Sequence, residues 1–78
     1  MNPRIVVEEY KLYTDARGLH TDHHEAWYLD ATGKRLYRGE HQDNWALAYA
    51  ELHTKLRQEG ISTKDVPIHW TARYLGEH

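Results

Sequence analysis

The residues of this chain that could carry chemistry are concentrated in one short stretch, Leu19 to Glu25, which contains three histidines and two acids. Imidazole and carboxylate groups are good ligands for zinc, nickel or copper. If the stretch is a β-strand, alternate side chains share a side, and His20, Asp22 and His24 form a possible three-ligand set. A functional metal centre usually draws its ligands from more than one element. We therefore interpret the stretch as a solvated segment with adventitious metal affinity, and we expect no resident metal or cofactor.

Few other residues or motifs in the sequence are suited to catalysis. The chain has no cysteine, which excludes disulfides, thiolate metal sites and a cysteine nucleophile. Ser62 is the only serine, and it falls in a predicted loop. The sequence contains no nucleophile elbow and no glycine-rich phosphate loop. We predict that the protein is not an enzyme.

The sequence Tyr-Thr-Asp at residues 13–15, late in the first predicted strand, resembles the ribonucleases H. That family follows such an Asp with two strands, a helix that carries a Glu, and a fourth strand that carries an Asp. The resemblance implies catalytic places for Asp15 and Glu51. Two-metal chemistry needs several carboxylates around the ions, but the fourth predicted strand, Ile68 to Leu75, contains none. We therefore interpret Asp15 as a turn residue.

The secondary structure that positions these residues is indicated first by a repeated phrase in the sequence. The phrase is Tyr-x-Asp-Ala-x-Gly, and it occurs at residues 13–18 and 28–33. Asp favours the first position of a type I turn and Gly the last. Both turns are entered from extended runs and predict three antiparallel strands joined by tight hairpins. The strands are predicted over Arg4 to Thr14, Ala26 to Leu29 (with a start as early as Leu19) and Lys34 to Arg38. The first strand is expected to be central, and the basic third strand to be a protected edge.

The stretch Asp43 to Glu59 predicts a helix, because its apolar residues recur at helical spacing. These residues are Trp45, Ala48, Tyr49, Leu52 and Leu56. Asp43 is the predicted N-cap, and Gly60 followed by Ile61 predicts a Schellman termination. After a loop, Val66 to Leu75 alternates regularly and predicts the last strand.

Together these elements predict one small α+β domain over residues 1–78. The order is β-β-β-α-β, with a four-stranded sheet made of a three-stranded antiparallel meander and a C-terminal strand, and one helix packed on one face. This order also resembles the HicB antitoxin domain, a binding module, although the Pro-Asp-Leu-Pro-Gly segment of that family is missing. A resemblance of this kind concerns the fold and does not transfer function.

The sheet and helix also resemble the small N-terminal domain of phage-type integrases, which lays a three-stranded sheet into DNA. The resemblance rests on Trp27, the turn at residues 30–33 and the basic third strand. A DNA contact would be made by the basic residues near the turns, which are Arg17, Lys34, Arg35 and Arg38. The net charge of −2 weighs against this role, since proteins that bind nucleic acid through phosphates usually run basic. DNA binding is therefore kept as the alternative.

No apolar run approaches the roughly 20 residues needed to cross a bilayer, and the N-terminus lacks a secretory hydrophobic segment. We expect a soluble, cytoplasmic protein that makes no membrane contact.

The aromatic content is unusual, with six Tyr and three Trp but no Phe. Tyr and Trp carry a polar group and suit half-buried positions and interfaces. One helix is too narrow to cover so many rings, so we predict that the protein acts through protein–protein contact. The partner is a second copy or a foreign protein that it inhibits or regulates, such as a toxin or a host enzyme. The predicted contact residues are Tyr10, Trp27, Tyr28, Tyr37, Trp70 and Tyr74.

Overall fold

The computed structural model describes residues 2–14, 18–42 and 44–75, with side chains for residues 2–11, 23–42 and 44–73. Its elements in chain order are strands β1 (Arg4–Thr14), β2 (Gly18–Leu29) and β3 (Arg35–His41), helix α1 (Trp45–Gln58) and strand β4 (Ile68–Leu75). This order confirms the predicted α+β class, with one helix packed on a four-stranded sheet.

The four strands form one mixed sheet in the order β3-β2-β1-β4. β1 pairs with β2 and β2 pairs with β3 in antiparallel fashion, whereas β4 pairs with β1 in parallel. A parallel neighbour requires a long crossover connection, which the helix provides here. β1 is therefore central and β3 is an edge, as predicted, and β4 is the other edge.

The strand boundaries differ from the predicted ones at several ends. β2 begins at Gly18, β3 continues to His41, and β4 begins only at Ile68. The pairing of β1 with β2 also shifts between Tyr10 and Lys11.

The second copy of the repeated phrase forms the turn between β2 and β3, as predicted. Asp30 Oδ1 accepts hydrogen bonds from the backbone N–H groups of Thr32 at 2.8 Å and Lys34 at 3.0 Å. The Gly33 N–H donates to the Asp30 carbonyl at 2.9 Å, and the φ of Gly33 is 90°, a value that favours glycine. In the first copy, Asp15 to Arg17 lie outside the described residues.

Helix α1 has Asn44 as its N-cap, which corrects the predicted Asp43. The Asn44 side chain accepts a hydrogen bond from the Ala46 backbone N–H at 2.7 Å and satisfies one of the unpaired donors at the helix start. Asp43 itself lies outside the described residues.

The other end of α1 is the predicted Schellman motif. The Ile61 N–H donates to the Leu56 carbonyl at 2.9 Å, and the Gly60 N–H donates to the Arg57 carbonyl at 3.1 Å. Gly60 has a φ of 72°, as this motif requires. Among the described residues, no helix is long and apolar enough to cross a membrane.

The core lies between α1 and the sheet. Its buried side chains are Ile5, Val7, Ala26, Tyr28, Ala48, Leu52 and Leu56. The helix approaches β3 so closely that a Cβ on Gly39 would lie 2.1 Å from the Ala48 carbonyl oxygen. Two residues of the predicted apolar stripe are not among these buried side chains. Tyr49 packs against the core but is only partly buried. Trp45, in the first turn of α1, contacts Trp70 of the edge strand and is 43% exposed.

Candidate functional site

The sheet has two different sides. Helix α1 packs on one of them, which we call the helix side. The other side, the open face, carries a cluster of charged and aromatic side chains contributed by all four strands. The members of this open-face cluster are Glu8, Tyr10, His23, Glu25, Trp27, Arg35, Arg38, Glu40 and Arg73.

Glu8 lies at the centre of the open-face cluster, and its side chain is only 1% exposed. Arg35 of β3 holds the carboxylate with two hydrogen bonds, at 2.7 Å from Nη1 to Oε1 and 3.2 Å from Nη2 to Oε2. Arg73 of β4 donates from Nε to Oε2 at 2.5 Å. A buried charge is tolerated only when it is paired, so this carboxylate ties both edge strands to the central one.

Glu25 is the second buried acid, and it is the direct cross-strand neighbour of Glu8. The Trp27 indole N–H donates to Glu25 Oε1 at 2.8 Å, and His23 Nε2 lies 3.1 Å from Oε2. Arg38 Nη1 lies 3.9 Å from the same Oε2. The guanidinium groups of Arg35 and Arg38 lie 4.9 Å and 5.6 Å from the centroid of the Trp27 ring, within the range of cation–π attraction.

Tyr10 links the two acids. Its hydroxyl lies 3.2 Å from Glu8 Oε1 and 3.4 Å from Glu25 Oε1, so it can donate its proton to either carboxylate. Its ring stacks on the imidazole of His23, with the centroids 4.5 Å apart and the planes 12° from parallel. The cluster is thus a continuous network of hydrogen bonds, ion pairs and ring contacts.

The protonation states follow from these contacts. Burial acts to raise the pKa of Glu8, but the hydrogen bonds from Arg35 and Arg73 outweigh it and hold the pKa below its ordinary value. The pKa of Glu25 is lowered in the same way, against burial, by Trp27 and His23. The pKa of Tyr10 is raised by burial and by the two carboxylates. Both acids are therefore charged and the phenol is neutral at pH 7, which is poor material for general acid–base catalysis.

Of the possible ligand set His20, Asp22 and His24, only His24 has a described side chain. His24 lies on the helix side, where its Nε2 is 3.8 Å from a Glu9 oxygen and its Nδ1 has no hydrogen-bond partner in the described part of the chain. The side chains of His20 and Asp22 lie outside the described ones.

Three other residues bring possible ligand atoms within 4.8 Å of one another. They are His23, Glu25 and Glu40, all on the open face.

The sequence did not predict Glu8 or Arg73 as site residues, and it placed Glu25 only within the histidine-rich stretch. One signal was available for Glu8, which shares a side of β1 with Val6 and Tyr10 in an otherwise apolar segment. An acid at such a position needs a cation from a neighbouring strand.

The predicted contact residues lie in different environments. Tyr28 is buried in the core, and Tyr10, Trp27 and Tyr37 are half-buried. Trp70 is 48% exposed, and the side chain of Tyr74 lies outside the described ones. On the open face, charged side chains of the same chain cover much of the aromatic surface.

The predicted DNA-contacting residues are only partly brought together. Arg35 and Arg38 meet on Trp27 in the open-face cluster, and Lys34 is exposed in the preceding turn. Arg17 lies outside the described residues. Because the two arginines face buried acids, this surface is not uniformly positive, as phosphate binding would favour.

A second candidate surface lies on the helix side, at the β4 edge. We call Trp45, Ile68 and Trp70 the β4 patch, and these residues are 43%, 50% and 48% exposed. The two indoles meet edge to face, with centroids 5.3 Å apart. Helix α1 packs chiefly on β3 and β2, which leaves this part of the sheet largely uncovered.

Comparison of the chain with protein-family models, with curated proteins and with solved structures finds no match. Function is therefore inferred from the two surfaces described above.

Proposed function

We propose that this chain is a binding module that acts through protein–protein contact rather than catalysis, and that its partner at the β4 edge is a second copy of itself. The observation that carries this proposal is the β4 patch, in which Ile68 is 50% and Trp70 is 48% exposed beside an edge strand. An edge strand presents backbone N–H and C=O groups that can pair with another chain, and exposed apolar side chains beside it add surface that such a contact can bury. Trp is also one of the residues that most often anchor interfaces.

The two edges of the sheet differ in how they are protected. β3 carries Arg35 and Arg38, packs against α1, and has its Arg38 carbonyl capped by Lys55 Nζ at 2.5 Å. Charge and a covering helix are common ways to block an edge. In the sequence of β4, Arg73 is the single residue among the types Lys, Arg, Asp and Glu, and it donates a hydrogen bond to Glu8. Pairing at β4 therefore brings no unpaired charge into the contact.

A second copy fits this edge well. Two β4 strands related by a two-fold axis run antiparallel, so the two sheets would join into one sheet of eight strands. The axis would also place one β4 patch close to the other, and an isologous interface uses the same surface on both subunits. A foreign strand could add to the same edge, but it would have to supply its own apolar patch.

Size-exclusion chromatography with light scattering over a dilution series tests the proposal. The wild-type chain is expected to show twice the protomer mass at high concentration and to dissociate on dilution. Trp70→Arg is expected to weaken the dimer at least about tenfold, as for other interface anchors. Leu47→Arg is the matched control, because Leu47 is 49% exposed but lies about 200° around the helix from Trp45. It should leave the dimer unchanged.

A wild-type chain that stays monomeric at every concentration contradicts self-association. Equal weakening by Trp70→Arg and Leu47→Arg would remove the β4 patch from the interface. The alternative, DNA binding by Lys34, Arg35 and Arg38, predicts a mobility shift that weakens steeply as salt rises. Such a shift in the wild type, lost in Lys34→Gln, would replace protein contact as the favoured function.

A further inference from the structure

We propose that His23, Glu25 and Glu40 form a binding site for a divalent transition-metal ion, with Zn²⁺ as the best-fitting ion, on the open face of the sheet. His23 Nε2 lies 3.1 Å from Glu25 Oε2 and 3.8 Å from Glu40 Oε2. All three ligand atoms lie within 4.8 Å of one another. Ligands at about 2.0–2.1 Å from a tetrahedral zinc ion stand roughly 3.4 Å apart, so only small movements would close this set around an ion.

The ligand chemistry selects the class of metal. One imidazole and two carboxylates suit zinc and similar ions, whereas Mg²⁺ and Ca²⁺ prefer oxygen ligands alone. Three protein ligands also leave a coordination position for water or for a further ligand. The ligands come from two strands, since Glu40 of β3 is the cross-strand neighbour of Glu25 of β2. This arrangement differs from a run of histidines in one exposed segment.

Two of the three ligands are held by neighbouring residues. The Trp27 indole N–H donates a hydrogen bond to Oε1 of Glu25 at 2.8 Å, and the other oxygen, Oε2, lies beside His23. The ring of Tyr10 stacks on the His23 imidazole at 4.5 Å and fixes its plane. Supporting contacts of this kind orient metal ligands in proteins. The third ligand, Glu40, has a side chain that is 48% exposed, so it has room to rotate towards an ion.

The charges at the site also favour a cation. Glu25 and Glu40 occupy directly paired positions on adjacent strands, where like charges are unfavourable. Arg38 partly compensates them, with Nη1 3.9 Å from Glu25 Oε2. The Arg38 side chain is itself 48% exposed, so it can turn into solvent when an ion binds. Zinc would then replace both the Arg38 charge and the hydrogen bond between His23 and Glu25.

Titration calorimetry with zinc chloride on the full chain tests the proposal. One equivalent is expected to bind, and Glu40→Gln and His23→Ala are each expected to weaken binding at least about tenfold. His24→Ala is the matched control, because His24 is the next residue but lies on the helix side, near Glu9. It should leave the zinc affinity unchanged. Circular dichroism of each variant checks that the fold is retained.

A third variant separates metal binding from a purely structural role of the cluster. Because Arg38 competes with the ion for Glu25 Oε2, Arg38→Gln is expected to tighten zinc binding by about threefold or more. Nuclear magnetic resonance of the histidine rings supplies a second readout. Zinc should shift the ring signals of His23 and leave those of His24 in place.

Absence of zinc binding by the wild type, or equal affinity of the wild type and Glu40→Gln, overturns the proposal. Loss of binding in His24→Ala with Glu40→Gln unaffected would assign the ion to the set His20, Asp22 and His24 instead. Neither result bears on self-association, because the β4 patch lies on the other side of the sheet.

Discussion

Glu8 and Glu25 face each other across β1 and β2, and the hydroxyl of Tyr10 lies 3.2 Å from one carboxylate and 3.4 Å from the other. Directly opposed like charges destabilise a sheet. This pair is tolerated because Arg35 and Arg73 bind Glu8 while other donors, among them Trp27, bind Glu25.

The pairing of these charges bears on which surface of the protein is available for contact with a partner. The open face is not a bare aromatic surface, because its rings alternate with charged groups that are paired with one another. The β4 patch, on the helix side, holds three large apolar side chains that are each 43–50% exposed. The half-exposed indole of Trp70, rather than the rings of the open face, is therefore the anchor that we assign to protein contact.

Glu8→Gln is expected to lower the free energy of unfolding by about 2 kcal/mol. A hydrogen bond to a charged group contributes about 1.5–3 kcal/mol, and the change weakens the bonds from Arg35 and Arg73. The loss is limited because those side chains are 36% and 54% exposed and can be solvated. Urea denaturation followed by tryptophan fluorescence measures it.

Glu51→Gln is the control for this substitution. Glu51 makes an exposed ion pair with Lys55 at 3.4 Å within the helix, and such pairs contribute about 0.5 kcal/mol or less. A loss in Glu8→Gln no larger than that in Glu51→Gln would contradict the central role of Glu8.

The stability of the fold is expected to fall in acid, and Glu8 is expected to cause part of that fall. The pKa of Glu8 in the folded protein lies below its ordinary value of 4.5, because the hydrogen bonds from Arg35 and Arg73 outweigh the opposing effect of burial. As the pH drops below 4.5, the unfolded chain therefore binds a proton at this residue before the folded chain does. Linkage then requires the free energy of unfolding to decrease through that range.

Urea denaturation at a series of pH values measures this decrease. Glu8→Gln should show a shallower loss of stability below pH 4.5 than the wild type. Parallel profiles for the two proteins would mean that Glu8 titrates alike in the folded and unfolded chains.

Features with local causes could be predicted from the sequence. The turn at Asp30 and Gly33 and the helix end at Gly60 and Ile61 each depend on residues within one turn of the chain, and both are present. The predicted N-cap, Asp43, lies one residue before the observed one, Asn44, because Asp and Asn are equally good N-caps and adjacent positions are hard to distinguish.

The open-face cluster could not be predicted in the same way. Glu8 and Arg73 are 65 positions apart in the chain, and they meet only because the crossover places β4 beside β1. Likewise, helical spacing alone places Trp45 in the core, whereas the structure has it against Trp70. Both outcomes depend on which strands are neighbours, and periodicity within one element does not contain that information.

Gly39→Ala is expected to be strongly destabilising, by about 3 kcal/mol, which is the upper end of the range of about 1–3 kcal/mol that overpacking usually costs. The added Cβ would lie 2.1 Å from the Ala48 carbonyl oxygen and 2.5 Å from the Leu52 backbone nitrogen, so the helix must move away from β3. Thermal unfolding followed by circular dichroism measures the effect.

Gly60→Ala is the comparison for this change. Within the part of the chain that the structure describes, no atom lies within 4 Å of a Cβ built on Gly60, and the φ of 72° is what makes alanine unfavourable there. Left-handed backbone costs a non-glycine residue about 1–2 kcal/mol. A smaller loss in Gly39→Ala than in Gly60→Ala would show that the contact between α1 and β3 is looser than described.

Arg35→Lys and Arg38→Lys form a matched pair that keeps the charge and changes the geometry. Arg35 binds Glu8 through two nitrogens, at 2.7 Å and 3.2 Å, and lies 4.9 Å from the Trp27 centroid. Lysine can replace neither the two-point contact nor the planar stacking, so we expect Arg35→Lys to cost about 1–2 kcal/mol. Arg38 lies 3.9 Å from Glu25 and 5.6 Å from the Trp27 centroid, and its replacement should cost about 0.5 kcal/mol or less. Urea denaturation compares the two variants, and the same small loss in both would show that the paired hydrogen bonds of Arg35 add nothing beyond its charge.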